Sequence, residues 1–257
     1  MKKQLLLAIA IVITIGLHAQ AKPEDTEFYT PVPKKVTPAK GITAAPSDAI
    51  VLFNGTNMDE WELLKNPGSV EKWDLIDGTM RVSKTNGDIQ TKRLFTNYQL
   101  HIEYIIPSNV TGSGQARGNS GIFLAMLPPR PGNGESGYEL QVLDNYTNTT
   151  YVNGQVGSIY KQAAPLVNAA LPAGEWQSFD VIWTAPVFNA DGTLKTPASV
   201  TALHNGILIQ NNFVLRGDTP YVGQPEYVKH GARPIKLQAH GDKSEPISYR
   251  NIWVRPL

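Results

Sequence analysis

The sequence predicts an all-β fold, a two-sheet antiparallel sandwich with a concave polar cleft, on three observations. From Ala49 onward, short apolar alternations are punctuated by Gly, Asn, Asp and Pro, the pattern of strands joined by tight connections. No helical periodicity of useful length runs through the same region. Two turns are legible outright: Asp77-Gly78 and Asn205-Gly206 each join apolar alternations, and these residue types tolerate the positive φ that a two-residue hairpin requires.

In chain order, strands are expected at residues 50–53, 73–76, 79–83, 98–106, 120–127, 137–143, 157–160, 177–184, 199–204, 207–214, 235–239 and 247–254. Many short strands with short connections suit two sheets packed face to face, inward side chains alternating with outward ones. Of 257 residues, 41% are hydrophobic and 18% charged, which suffices for one large core. There is no internal repeat, so residues 49–257 read as one domain. With no cysteine in the chain, no disulfide staples the fold and no thiolate serves as nucleophile or zinc ligand.

The amino terminus has a different texture. Lys2 and Lys3 precede an apolar run from Leu5 to Leu17, and Ala19-Gln20-Ala21 offers a small-x-small cleavage site, so residues 1–21 read as a signal peptide. The run is too short to cross roughly 30 Å of hydrocarbon as a helix. No cysteine stands ready for lipid attachment, and the expected product is exported, periplasmic or extracellular in a bacterium, with no membrane span after processing. Residues 22–48 hold Pro23, Pro31, Pro33, Pro38 and Pro46 with few large apolar groups, the composition of an extended tether or a wrapping arm. Loss of the two leader lysines from 23 basic residues leaves 21 against 22 acidic ones. That balance gives no reason to expect nucleic acid or anionic lipid as a partner.

The chemistry concentrates on two strands. In Gly137-Tyr-Glu-Leu-Gln-Val-Leu-Asp144, alternation turns Tyr138, Leu140 and Val142 one way and Glu139 and Gln141 the other, with Asp144 close behind. In the segment 234–241, the same rule puts Ile235, Leu237 and Ala239 inward and Lys236, Gln238 and His240 outward. A solvated outer face usually draws Lys, Glu, Thr and Ser; Gln, His and Asn with Arg nearby suit a polyhydroxyl ligand such as a carbohydrate. A glycine-rich loop before the strand at 120 carries Arg117, Asn119 and Ser120. Arg117 can fork onto a ligand carboxylate or carbonyl, or onto Glu139. Tyr146, Tyr151 and Tyr160 flank an Asn/Thr-rich loop at the expected cleft rim, whereas the five tryptophans read mostly as core.

Other chemistries fit poorly. The glycine-rich loop lacks the spacing and the following helix of a phosphate cradle. Gly118-Asn119-Ser120-Gly121 is not a Gly-x-Ser-x-Gly nucleophile motif. His101, His204, His230 and His240 are scattered with no short-spaced pair, and no calcium-hand loop occurs, so no metal ligand set and no cofactor is evident; a weakly encoded divalent cation is the addition left open.

The succession Ile50 to Glu62, "GNSGIFL" (118–124), "GYELQVLD" (137–144), "NGQVGSIYKQ" (153–162), "PAGEWQSFDVIW" (172–183), "LHNGILIQN" (203–211) and "PIKLQAHG" (234–241) through "YRNIWVRPL" (249–257) resembles the 3-keto-disaccharide hydrolase-like family. That family was long catalogued as a domain of unknown function and has a concanavalin A-like lectin/glucanase jelly roll. The resemblance implies an exported enzyme acting on glycosides whose sugar carries a ketone at C3, made by a separate sugar 3-dehydrogenase. A C3 ketone acidifies the C2 proton, and the enolate can expel the C1 substituent before water adds. On that reading Glu139 or His240 is the base, Arg117, Gln141, Gln238 and Lys161 are donors, Asn119 positions the substrate, and Asp144 and Tyr160 complete the contacts. Two alternatives stand beside it: a retaining glycosidase using Glu139 and Asp144, which needs a bulge because positions five apart face opposite ways in a strand, and a carbohydrate-binding module without catalysis.

Overall fold

The computed structural model describes residues 21–35, 45–70, 72–130 and 136–257. Except for Ala21, the expected signal peptide lies outside the described residues, as does the stretch 36–44. The strands are β1 (Lys34–Lys35), β2 (Ile50–Phe53), β3 (Trp61–Leu63), β4 (Asp74–Ile76), β5 (Thr79–Arg81), β6 (Ile89–Thr91), β7 (Tyr98–Ile105), β8 (Ser120–Leu127) and β9 (Ser136–Val142). They continue with β10 (Val167–Asn168), β11 (Trp176–Thr184), β12 (Val187–Phe188), β13 (Leu194–Thr196), β14 (Ser199–His204), β15 (Ile207–Val214), β16 (Lys236–Leu237) and β17 (Ser248–Pro256). Among the described residues the helical structure amounts to three short 3₁₀ turns.

Two sheets dominate. One has eight strands in the order β15-β14-β11-β7-β17-β5-β4, with β2 also on β17; the other has five, in the order β3-β6-β16-β8-β9. Pairing within both is antiparallel. The core lies between them. Tyr138, Leu140 and Val142 of β9 and Ile122 and Leu124 of β8 meet Leu100, Ile102 and Tyr104 of β7 and Phe179, Val181 and Trp183 of β11, all fully buried. Each such side chain contributes roughly 1.5–3 kcal/mol by leaving water. The rings of Tyr138 and Trp183 meet across the sandwich with centroids 5.0 Å apart. Tyr98 and Tyr249 also reach across, donating to the Leu124 carbonyl at 2.6 Å and to Ser120 Oγ at 2.8 Å, so their hydroxyls are satisfied inside the core.

Both expected hairpins form, with positive φ at Asp77 and Gly78 and at Asn205 and Gly206. The strand expected at 157–160 does not. Positive φ at Gly157 and Lys161 interrupts the extended run, and Ile159 makes only isolated bridges to Leu140 and Ala163. Strands β3 and β6, which complete the smaller sheet, span three residues each, too few for an alternation to show.

On the outer face of the larger sheet, His101 is buried in an ionic network. Its Nδ1 lies 2.7 Å from Asp180 Oδ1 and its Nε2 3.5 Å from Glu103 Oε1. Glu103 in turn accepts from Arg250 Nε and Asn251 Nδ2, each at 2.7 Å. Burial opposes charge on the imidazole, but its hydrogen bonds to Asp180 and Glu103 and their negative charge prevail and raise its pKa to about 9.

Candidate functional site

The smaller sheet turns its second face toward a cleft of about 540 Å³, within the range of small-molecule sites. Pairing across β8 and β9 sets Glu139 opposite Phe123 and Gln141 opposite Gly121. The Gln238 backbone N–H donates to the Gly121 carbonyl at 3.0 Å, just past the end of β16. Strand alternation therefore delivers Glu139, Gln141, Phe123 and Gln238 to one floor, and all four line the cleft. Gly121 makes room for the acid: a Cβ there would come within 2.5 Å of Glu139 Oε1.

His240 also lines the cleft, one turn of loop beyond Gln238. Its Nδ1 lies 2.7 Å from Asp242 Oδ2, while Lys84 Nζ donates to Asp242 Oδ1 at 2.9 Å and the Ser244 hydroxyl also donates to Oδ1. Burial alone would raise the Asp242 carboxyl; hydrogen bonds from His240, Ser244 and Lys84 overcome it and hold the group well below the usual carboxylate range. An anion beside Nδ1 favours the tautomer that carries its proton there, in which Nε2 is the acceptor.

The opposite side is phenolic. Tyr151 and Tyr160 line the cleft with their hydroxyls 2.6 Å apart. Burial is the main cause raising both phenols above their ordinary value, with the neighbouring Tyr151 adding to the shift of Tyr160. Both stay protonated near neutral pH, and because the pair shares a single internal hydrogen bond, one hydroxyl proton remains for a ligand. Thr219 and Tyr221 close another side. Their loop is tied down where Asp218 accepts from Arg130 at 2.9 Å and from Ser136 at 2.6 Å.

Of the residues singled out in the sequence, Asn119, Glu139, Gln141, Tyr160, Gln238 and His240 line this one cleft. Arg117, Asp144 and Lys161 do not. Arg117 Nε donates to Asp144 Oδ2 at 2.6 Å and its NH1 to the Val110 carbonyl at 2.9 Å, so the pair ties two loops together, and neither contacts Glu139 or the cleft. Asp144, bound by Arg117 and absent from the cleft lining, does not stand where the second carboxylate of a retaining pair with Glu139 has to meet the same substrate. Lys161 is buried and donates to the Pro23 and Tyr221 carbonyls, each at 3.0 Å. Gln141 is an acceptor rather than the expected donor: its amide nitrogen is committed to Asn119 Oδ1 at 2.8 Å and the Val142 carbonyl at 3.0 Å, which leaves its oxygen for a ligand. Asn119 is held on its other side by its donation to the Gln115 carbonyl at 2.7 Å. Lys236, read as outward, is buried with Nζ 3.5 Å from the Phe123 ring centroid and 3.0 Å from Asp88. Tyr146 is off the cleft, beneath the Lys35 ammonium at 3.2 Å.

Sequence reasoning passed over Asp242, whose signal is the short spacing His240-Gly-Asp242, and over Glu24 and Glu27, which line the cleft from the amino-terminal segment. Among the described residues, no group of three or more His, Asp or Glu is disposed to hold a metal ion.

A family profile described as a 3-keto-alpha-glucoside-1,2-lyase-like domain matches residues 48–255. The crystal structure of a proposed glycosyl hydrolase from Parabacteroides distasonis is similar over 91% of this chain and 96% of its own, with 51% identity and a TM-score of 0.77. Two further proposed glycosyl hydrolases from that organism share the fold at 20% and 18% identity, covering 82% and 81% of this chain and 94% and 99% of theirs, with TM-scores of 0.56 and 0.54. A comparison with curated proteins gave no match. By the profile and by the 51% identical relative, the chain belongs to the 3-keto-alpha-glucoside-1,2-lyase-like family, whose members are carbohydrate-active proteins of glycosyl hydrolase-like or lyase type.

Proposed function

We propose that the protein is an exported bacterial enzyme that cleaves the glycosidic bond of 3-keto-glycosides, 3-keto-disaccharides among them, by C2 proton abstraction, elimination and hydration. The observation that carries this reading is that His240, backed by Asp242, and Glu139 line one cleft together with neutral phenols. Elimination next to a ketone needs that set: a base, an acid for the leaving group, and a donor to the enolate oxygen.

His240 Nε2 takes the C2 proton, Asp242 stabilises the resulting imidazolium through Nδ1, and the electron pair moves onto the C3 oxygen. The spare phenolic proton of the Tyr151–Tyr160 pair and the Gln238 amide stand beside that oxygen. As the C3 carbonyl re-forms, C1 and C2 become doubly bonded and the C1–O bond breaks, the departing oxygen taking a proton from the carboxylic acid of Glu139. Glu139, now a carboxylate, removes a proton from water as its oxygen adds to C1, and His240 returns its proton to C2. The sum is hydrolysis, with both residues restored. The ketone has to be made beforehand by a sugar 3-dehydrogenase, a separate enzyme.

The test is to incubate the purified protein with a glycoside and with its 3-keto derivative and to measure released aglycone. Release from the ketone alone supports this function. Release from both forms replaces it with an ordinary glycosidase, and binding without release replaces it with a carbohydrate-binding module.

A further inference from the structure

The family profile begins at residue 48, yet Pro23, Glu24 and Glu27 line the cleft. Part of the wall is therefore built by a segment ahead of the family domain. Three carbonyls of that segment are held by one neighbouring stretch of chain: Pro23 accepts from Lys161 Nζ at 3.0 Å, Thr26 from Asn153 Nδ2 at 2.8 Å and Phe28 from the Val152 amide at 2.9 Å. The Tyr29 ring meets that of Tyr151 edge-on, with centroids 6.3 Å apart. The same stretch carries Tyr151 and Tyr160, so the segment sits on the cleft's phenolic side. Burial is the larger cause raising the Tyr151 phenol, and the negative charge of Glu27 adds to it.

Lys161 fastens this wall. Its side chain is buried, and its ammonium donates to the Pro23 and Tyr221 carbonyls, each at 3.0 Å, with Nζ 3.7 Å from Glu27 Oε1. Burial lowers the Lys161 pKa, while the charge and hydrogen bond of Glu27, and the charge of Glu24, work against that shift. Both counter-charges belong to the segment, so lifting it away would leave the ammonium buried without them, a costly state. Glu27 is held in turn, because Oε1 faces Lys161 and Oε2 accepts from the Tyr29 hydroxyl at 3.2 Å. A carboxylate offers about four acceptor sites on its two oxygens. These contacts orient Glu27 and leave it acceptor capacity toward the cleft.

We infer that residues 23–29 are a built-in wall of the sugar site, clamped by Lys161, and that Glu27 is a specificity-determining residue that accepts a hydrogen bond from a hydroxyl of the sugar ring. The inference rests on the sugar-cleft reading above, though not on the ketone or on turnover. A sugar hydroxyl donates to a carboxylate in a charge-assisted hydrogen bond, stronger than one between neutral groups. A carboxylate already fixed by Lys161 and Tyr29 loses little freedom in making it.

Titration calorimetry on the full chain tests this with 1,5-anhydroglucitol and its 3-keto form, which carry no group to lose at C1, and with the 2-, 4- and 6-deoxy analogues of each. One deoxy analogue should bind about tenfold or more weakly than its parent, and that gap should close in Glu27→Gln while the gaps of the other analogues persist. Thermal melting shows whether the variant is folded. Should it strand the Lys161 ammonium and unfold, the double variant E27Q/K161M removes both charges and carries the same comparison. Deoxy gaps that all survive the substitution overturn the inference, even where a 3-keto-glycoside is turned over. Failure of every sugar to bind overturns it together with the sugar-cleft reading beneath it. A gap that closes in a protein without turnover upholds the inference and overturns only the proposed reaction.

Discussion

Oδ2 of Asp242 lies 2.7 Å from Nδ1 of His240, the imidazole that lines the cleft beside Glu139. In Asp242→Asn the amide can present its N–H to Nδ1 and favour the other tautomer, which puts the proton on Nε2 and removes the base. The expected loss in kcat is about 10²–10⁴, with the pH profile of kcat/KM displaced. An unchanged pH profile with reduced kcat would assign Asp242 a purely structural role, tying Lys84 and Ser244 to the loop.

Glu139→Gln keeps the shape of the side chain and removes its proton transfers. Turnover of a 3-keto-glycoside should fall by about 10²–10⁴ with the melting temperature little changed. Wild-type turnover in that variant would remove Glu139 from the mechanism.

Gly121→Ala tests the space under the acid. The added Cβ meets Glu139 Oε1 at 2.5 Å and Phe123 Cε2 at 3.1 Å, so the carboxylate has to move. Steady-state kinetics should show at least roughly a tenfold loss of kcat/KM, because an ångström of misplacement can cost about a hundredfold. The backbone of the strand accepts alanine, and denaturant melts should shift little.

Arg117→Gln is expected to act on stability rather than on substrate. Asp144 is buried under the guanidinium, and leaving it without that charge should cost on the order of 1–3 kcal/mol, read from urea melts. A raised KM with unchanged stability would return Arg117 to the substrate site.

His101 makes stability depend on pH. Its folded pKa of about 9 stands above the unfolded value of 6.5, so the stabilisation from its network is complete below about pH 6.5 and is lost as pH rises through 9. The amount is on the order of 3 kcal/mol at most. Denaturant melts between pH 6 and 9.5 should show the decline, and His101→Gln should flatten it.

Much of the architecture was legible because burial writes a period into strands. The alternation at 98–105, 176–184 and 199–204 is the trace of one face meeting the core, and the Asp-Gly and Asn-Gly turns are backbone chemistry that needs no tertiary context. Segments of three residues, such as Trp61–Leu63 and Ile89–Thr91, carry too little pattern to be read. Gly157 to Tyr160 reads as a strand yet is turned away by positive φ on both sides.

The same period grouped Glu139 with Gln141, and Gln238 with His240, before any coordinates, since it fixes the side of the sheet on which each side chain emerges. It could not rank polar residues in loops. Arg117 chose Asp144 over Glu139, Lys161 turned back to hold Pro23, and Asp242 closed on His240, because such pairings depend on where separate loops end up in space and on which charge most needs a partner once buried. The sequence by itself determined the sandwich and the polar floor of its smaller sheet. Only the tertiary structure decided which loops wall that floor, and with them which carboxylates a ligand meets, because contacts between distant segments follow from packing and leave no local period in the chain.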